Sequence, residues 1–257
     1  IYPQRDDQTV MKKNQLLLRV LSPFLAVVIW WLATSVASAQ NPILGAMGPV
    51  DAVLALGSQA ATGSLFNTIG VSLTRLGLGL LIAVVAGLTL GLLIGSVKWF
   101  EASTATVVQY LRMVSPLAWA PIAVVLFGIG SPPVVFLVAI AAVWPITLAT
   151  AAGVKALDPE WLTLAKSLGA SRLESVLAIV VPGIRGQVAT GVRLALGVAW
   201  IVLVPAEMLG VDSGLGYQIL NARDQIDYSL LAGVMLLIGA IGFAMDWLTQ
   251  QLFKRWL

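Results

Sequence analysis

The 257-residue sequence contains no cysteine and no histidine. These two absences exclude disulfide bonds, thiol nucleophiles, histidine acid–base catalysis and zinc sites of the usual ligand types. Charged residues are also scarce, at 11% against roughly 25% in soluble domains, which is too few to cover the surface of a water-soluble protein. No G-x4-G-K-[ST] sequence is present, so the chain lacks the loop that binds ATP in P-loop proteins. A soluble enzyme is therefore not expected.

Apolar residues take the place of the missing charge, at 59% of the sequence with a mean hydropathy of +0.94. A membrane-spanning helix needs about 20 predominantly apolar residues. Stretches of that length predict six spans, over residues 16–37, 67–96, 104–128, 133–154, 184–210 and 230–253. Pro116 and Pro121 interrupt the third span and Pro145 the fourth, and backbone freed by proline needs protein or water around it. We predict an all-α polytopic bundle, with one transmembrane domain over residues 16–257 after a tail over residues 1–15.

Basic residues lie almost entirely on one side of these predicted spans. With a cytoplasmic N-terminus, the inside segments hold 11 of the 15 basic residues, and the outside segments hold one, Arg223. The other three, Arg75, Arg112 and Arg193, fall within the spans or at their edges. Because cytoplasmic loops carry an excess of lysine and arginine, we predict that both termini are cytoplasmic.

The N-terminal stretch also resembles a secretory signal, with Met11, two lysines, an apolar run and Ala37-Ser38-Ala39 as a cleavage site. The apolar run of about 20 residues is longer than the roughly 7–15 of a signal sequence. We therefore expect this helix to be retained. Residues 1–10, before Met11, resemble a leader or vector-derived sequence.

Residues 155–183 form the longest predicted cytoplasmic connection. Asp158 and the following proline predict a helix N-terminus, and Gly169 predicts its end. Ser171 and Glu174 have the spacing of a capping box, which predicts a second helix running to Pro182-Gly183. Two such helices with an apolar face either bind a partner protein or lie flat on the membrane surface, and the residues alone do not decide between the two.

This segment resembles the E-A-A-x3-G-x9-I-x-L-P motif of permease subunits of ABC importers. The matching positions are Ala165, Gly169, Ile179 and Pro182, and the departures are Thr163, Leu164 and Val181. A second stretch, 111–121 followed by 127–130, resembles the LRxxPPLAWxP and FGIG run of the nitrate, sulfonate, taurine and bicarbonate class. Residues 165–171, 191–193, 206–208 and 214–217 are similar to the same class. The resemblance extends from about Asn67 to the C-terminus, with Ser115 in place of the usual proline.

The resemblance implies a homodimeric permease of the bacterial inner membrane. Two cytoplasmic ATPase subunits would bind ATP and magnesium, and an extracytoplasmic binding protein would deliver a small anion such as a sulfonate, taurine, nitrate or bicarbonate. The chain itself would need no cofactor and no catalytic site. The residues implied in ATPase coupling are Thr163, Leu164, Ala165, Lys166, Leu168, Gly169, Ala170 and Ser171. Burial of Leu162, Ala165 and Leu168 would hold this contact, and Lys166 and Arg172 would adjust it electrostatically.

Five residues are candidates for the lining or gate of a pathway: Arg112, Pro116, Trp119, Arg193 and Glu207. Arg112 precedes the Pro116 break by four residues and either faces the pathway or snorkels to the membrane surface. Trp119 lies between two prolines, where a broken helix is suited to line a pore. Arg193 and Glu207 are 14 residues apart, roughly 21 Å along a helix, so each needs another partner. For Glu207 this is a gate, a subunit contact or a buried hydrogen bond.

Three further features have expected roles outside a ligand site. Asp246 is expected to be solvated or bonded within its own helix. A series of small residues predicts close helix packing, within the bundle in preference to a homodimer seam: Gly77, Gly79, Gly87, Gly91 and Gly95. Gly214-Leu215-Gly216 lacks the strand and third glycine of a dinucleotide loop.

Two other functions remain open on the residues alone. A secondary transporter would work without an ATPase and would show inverted repeats, which the sequence does not display. A membrane scaffold would have no pathway, and would then tolerate leucine in place of Arg112 and Glu207.

Overall fold

The computed structural model describes residues 5–39 and 41–256, with side chains at all of these except 5–20, 172 and 254–256. The start of the predicted tail, residues 1–4, lies outside the described residues. Within them the chain is helical and has no β-strand. The helices are α1 (Arg5–Ser38), α2 (Pro42–Ala46), α3 (Pro49–Ala61), α4 (Ser64–Ser96), α5 (Lys98–Met113), α6 (Ala120–Phe127), α7 (Ser131–Lys155), α8 (Pro159–Ser167), α9 (Arg172–Ser175), α10 (Val181–Gly183), α11 (Arg185–Glu207), α12 (Leu215–Asp224) and α13 (Tyr228–Trp256). A 3₁₀ turn (Pro116–Trp119) precedes α6, and a π-helical turn (Val176–Val180) follows α9.

Five of the six predicted spans are single long helices. Within the described residues, the segments long and apolar enough to cross a membrane are Leu21–Ser38 of α1, all of α4, α7 and α11, and Tyr228–Phe253 of α13. The third predicted span, residues 104–128, is instead a broken pair: α5 and the segment Pro116–Phe127 meet at 92°. Pro116 lacks the amide needed to continue α5, which explains a break at the predicted position.

Helices α4 and α7 pack through the predicted glycine face and run parallel. A methyl group on the glycines of α4 would collide with α7 in four pairs whose numbers rise together: Gly79 with Val138, Gly87 with Ile146, Gly91 with Thr150 and Gly95 with Val154. The expectation of packing within the bundle is confirmed for these four. Gly77 has no atom within 4 Å of such a methyl group. Since α4 and α7 are parallel, the chain between them must return along their length, and α5 with α6 provides that return.

We expect valine at Gly91 to separate α4 from α7, because even a Cβ atom there would lie 2.5 Å from Thr150 Cβ and 2.7 Å from the Thr147 carbonyl oxygen. Overpacking of this kind costs about 1–3 kcal/mol. Gly77→Val is the matched control, on the same helix with open space at the site. Thermal unfolding in detergent should give a lower midpoint for Gly91→Val alone, and equal midpoints for the two variants would contradict the packing described here.

The structure divides into two compact units, and the larger comprises residues 66–220 and 238–256. Helix α7 is its centre, with Leu137, Val138 and Ile146 almost completely buried. Helix α11 packs on α7 at Gly191, where a methyl group would lie 2.6 Å from Ala149 Cβ. The core therefore rests on small residues that let apolar helices approach closely, as in other membrane bundles.

The smaller unit comprises residues 5–39, 41–65 and 221–237. Its short helices α2 and α3 occupy the segment that the sequence indicated only as an outside connection. The Asn41 side chain accepts a hydrogen bond from the Ile43 amide at 3.0 Å and caps α2. The Ser229 hydroxyl donates to the Ala46 carbonyl at 2.9 Å, so the start of α13 holds the end of α2.

Candidate functional site

The helix α8 begins and ends as the sequence predicts. The Glu160 amide donates to the Asp158 carboxylate at 2.9 Å, which makes Asp158 the N-cap. After α8 the chain turns at Gly169, whose φ of +79° lies in the left-handed region that glycine adopts without strain. The Ala170 amide then donates back to the Ala165 carbonyl at 3.0 Å. The glycine break is thus a closed helix end rather than a loose linker.

A capping box starts the second short helix, as predicted. The Ser171 amide donates to the Glu174 carboxylate at 2.7 Å, and the Glu174 amide donates to the Ser171 hydroxyl at 3.2 Å. The bond from the Ser171 backbone, followed by that of its hydroxyl, lowers the pKa of Glu174 below its ordinary value. The helix does not run uniformly to Gly183. A π-helical turn ends at Val180, two residues before Pro182, which has no amide to donate.

The exposed apolar face of α8 differs from the predicted one. Trp161, Leu164 and Leu168 are 58%, 52% and 78% exposed and share one face by their spacing of three and four. Ala165 is only 8% exposed and packs within the chain, which leaves little of its surface for the predicted contact with a partner. Leu162 is half-buried. The spacing of apolar residues predicted the helix, but it did not indicate which face would pack against the rest of the chain.

The remaining coupling candidates lie around this face. Thr163, Lys166 and Ser171 are exposed, and Ala170 is half-buried. The side chain of Arg172 lies outside the described residues. At the two ends of the segment, a methyl group on Gly183 would collide with Leu157, and one on Gly153 of α7 would lie 3.0 Å from Gln187 Cβ of α11. The start and the end of the segment are therefore held together, beside a close contact of α7 with α11.

Glu207 is completely buried, and its carboxylate has three donors. They are the Ser72 hydroxyl at 2.8 Å, Arg75 Nη1 at 2.9 Å and the Gly216 amide at 3.0 Å. Ser72 also accepts from the Leu215 amide at 2.8 Å. Ser72 of α4 and Glu207, the last residue of α11, thus cap the first turn of α12, where negative charge is favoured by the helix dipole.

Arg75 is 3% exposed and completes this cluster. Its Nη1 donates to the Ser213 carbonyl at 2.6 Å, its Nη2 to the Ser213 hydroxyl at 3.0 Å and its Nε to the Ser131 hydroxyl at 2.9 Å. A side chain at Gly214 or Gly216 would collide with Glu207. The two glycines therefore let the backbone lie directly against the Glu207 carboxylate.

The structure confirms that Arg193 and Glu207 each have another partner. Glu207 pairs with Arg75, while Arg193 Nε donates to Asp246 Oδ1 at 3.1 Å. Asp246 also accepts from Gln250 Nε2, one turn along α13, at 2.7 Å, as the expectation of a bond within its own helix requires. The sequence missed Arg75 as the partner. The available signals were its spacing of three from Ser72 and the need of a buried glutamate for a cation.

The other predicted pathway residues lie near the bend. Arg112 is exposed in the last turn of α5, Pro116 opens the 3₁₀ turn, and Trp119 is half-buried against the core of the larger unit. Within the described residues, no hydrogen bond or ion pair joins them to Glu207 or Arg193, so the five candidates do not form one cluster. Among those residues there is also no group of three acidic or other metal-ligating side chains that could hold a metal ion.

Comparison with known proteins gives consistent similarities along the chain. The family described as "Binding-protein-dependent transport system inner membrane component" matches residues 79–257. The chain is 34% identical over 244 residues to the aliphatic sulfonates transport permease protein SsuC of Escherichia coli (strain K12), covering 94% of this chain and 92% of SsuC. It is 35% identical over 188 residues to the bicarbonate transport system permease protein CmpB of Synechococcus elongatus, covering 72% of this chain and 67% of CmpB.

A solved structure has the same fold at low sequence identity. It is a bacterial alginate ABC transporter in complex with an alginate pentasaccharide-bound periplasmic protein. The matched chain has a TM-score of 0.66 and 16% identity, with 96% of both chains covered. At this identity the likeness concerns the fold, and it agrees with the all-helical bundle described above.

Proposed function

The chain belongs to the family of binding-protein-dependent transport system inner membrane components, and from this premise we propose that two copies form the pathway of a small-anion importer. It is a multi-pass permease subunit of an ABC transporter. The relatives named for bicarbonate and aliphatic sulfonates support a small oxoanion as the substrate. ATP and magnesium would be bound by two cytoplasmic ATPase subunits, and a binding protein would deliver the anion from the other side.

The observation that carries the ATPase coupling is the uncovered apolar face of α8. Trp161, Leu164 and Leu168 expose their side chains on a helix too short to cross a membrane. Contiguous exposed apolar surface marks a contact with a partner or with lipid. We place both termini in the cytoplasm, because of the 11-to-1 distribution of basic residues in the sequence. In that orientation α8 faces the compartment that holds ATP.

The contacts of this segment explain how a movement of α8 would reach the pathway. Leu157, which follows α7, packs on Gly183, which precedes α11, and Gly153 of α7 lies close to Gln187 of α11. Close-packed interiors transmit displacement because they have little free volume. Closure of the ATPase pair on ATP would therefore move α7 and α11 together, and the bend between α5 and α6 offers a place for the rest of the bundle to adjust.

The pathway residues we propose are Arg112, Pro116, Trp119 and Arg193, which remain wholly or partly uncovered in the single chain. Glu207 has a different proposed role. Its carboxylate is fully engaged by Ser72, Arg75 and the Gly216 amide, so it would hold the end of α11 against α12 and would act on a gate only through that connection.

The test is co-purification of the chain with the ATPase encoded beside it. We expect Leu168→Asp to reduce the bound ATPase roughly tenfold or more, because an aspartate at this contact would bury an unpaired charge. Ile129→Asp is the matched control, since Ile129 is 81% exposed and Leu168 78% but Ile129 lies in the connection before α7. It should retain the ATPase.

The other outcomes separate the rival functions. An undisturbed ATPase complex in Leu168→Asp would mean that the α8 face lies on lipid rather than on a partner. Failure of even the unsubstituted chain to bind an ATPase would contradict the proposal and favour a secondary transporter or a scaffold.

A further inference from the structure

A second ion pair lies inside the spans of the larger unit, and its surroundings differ from those of Arg75 and Glu207. Arg193 lies eight residues after the start of α11, about 12 Å along the helix. Asp246 lies ten residues before the end of α13, about 15 Å from it. Their side chains are 43% and 55% exposed, whereas those of Arg75 and Glu207 are 3% and 0% exposed.

A half-exposed ion pair at this depth cannot face lipid without a large cost. Ionised side chains cost about 2.5–3.5 kcal/mol each at the centre of a span on insertion scales, and those within spans normally face the bundle interior or a water-filled cavity. Arginine can extend its long stem toward the membrane surface, but aspartate has no such stem. The exposed side of the pair therefore faces water or polar groups inside the assembled transporter.

The guanidinium of Arg193 keeps most of its donors open. Nε is bonded to Asp246 Oδ1, while within the described residues Nη1 and Nη2 make no hydrogen bond. The planar fork of arginine fits two oxygens of one oxoanion at once. Asp246 is in turn held on its other oxygen by Gln250 at 2.7 Å. The bond to Gln250 would therefore hold Asp246 in place on α13 after its bond to Arg193 is broken.

Helices α11 and α13 also contact each other at a position on one side of the ion pair. Trp200, seven residues farther along α11, lies so close to Gly242 that a methyl group there would be 2.5 Å from the indole Nε1. Helices α11 and α13 therefore meet at Trp200, and the Arg193–Asp246 ion pair joins them again farther along.

We infer that Arg193 is a binding site for a small oxoanion and that Asp246 is its resident counter-ion, which the anion displaces. This inference rests on the proposed function and extends it to Asp246 and Gln250. Competition with Asp246 keeps the affinity low, and a site in a transport pathway must release its ligand. When no anion is bound, the charges of Arg193 and Asp246 cancel each other.

The test measures methanesulfonate and nitrate binding by calorimetry at constant ionic strength, using the permease–ATPase complex in lipid nanodiscs. We expect Asp246→Asn to lower the Kd about tenfold, because the competing charge-assisted bond is removed. Arg193→Gln should abolish binding. Arg193→Lys keeps the charge but loses the fork, and should weaken binding about tenfold. Thermal midpoints of all variants report whether the complexes are folded.

Equal Kd values for the unsubstituted complex, Asp246→Asn and Arg193→Gln would overturn the inference and leave the pair a structural contact. If Asp246→Asn does not fold, Arg193→Lys against Arg193→Gln decides the question, since unchanged binding in both also overturns it. These failures are distinct from failure of the proposed function, because they are observed in a complex that has already bound its ATPase.

Discussion

Replacing Arg75 with leucine is expected to destabilise the chain by about 3–5 kcal/mol, the usual cost of removing one partner of a buried ion pair. Glu207 is completely buried and would lose the cation it pairs with, while the Ser213 carbonyl and the Ser131 hydroxyl would lose a donor. The turn before α12 depends on these bonds, so we expect it to loosen first. Unfolding of the purified chain in mixed detergent micelles measures the loss.

Two comparisons identify the buried charge as the cause. The double variant Arg75→Met, Glu207→Met removes both charges and should be more stable than either single variant, because no unpaired ion remains. Arg193→Leu breaks the half-exposed pair with Asp246 and should cost less than about 1 kcal/mol. Additive losses in the double variant, or equal losses for Arg75→Leu and Arg193→Leu, would contradict this account of the cluster.

Local signals in the sequence predicted the spans and the short helices of residues 155–183 well. Runs of about 20 apolar residues identify membrane helices because every backbone polar group must be satisfied within the helix. The ends of α8 and the start of α9 were equally predictable from the sequence, since Asp158, Gly169 and the Ser171–Glu174 box each act on backbone within a few residues. The prolines also placed the bend between α5 and α6 correctly.

Features that depend on distant contacts were not predictable in the same way. Arg75 and Glu207 are separated by 132 positions, and a single sequence shows that each needs a partner without showing which. Helices α2 and α3 were missed because the segment between the first two spans is too short and too mixed for a clear period. The burial of Ala165 was missed for a related reason, since an amphipathic pattern does not distinguish a partner from the rest of the chain.

Proline at Gly169 is expected to abolish ATPase binding while leaving the membrane bundle intact. Gly169 has a φ of +79°, and proline is fixed near −65°. Proline would also remove the amide that donates to the Lys166 carbonyl at 3.0 Å. The two short helices would then meet at a different angle, and the face of α8 would no longer be presented in the same direction. Co-purified ATPase and its ATP turnover are the measurements.

A graded series at Gly169 separates backbone conformation from bulk. A methyl group at this position would have no atom within 4 Å, so alanine causes no collision. Its cost is that of the left-handed backbone conformation alone, about 1–2 kcal/mol. Asparagine adopts that conformation more readily than alanine. ATPase binding should therefore fall in the order glycine, asparagine, alanine, proline. Loss that followed side-chain size instead would place the partner directly over Gly169, and full binding by the proline variant would show that the angle between the two helices has no part in coupling.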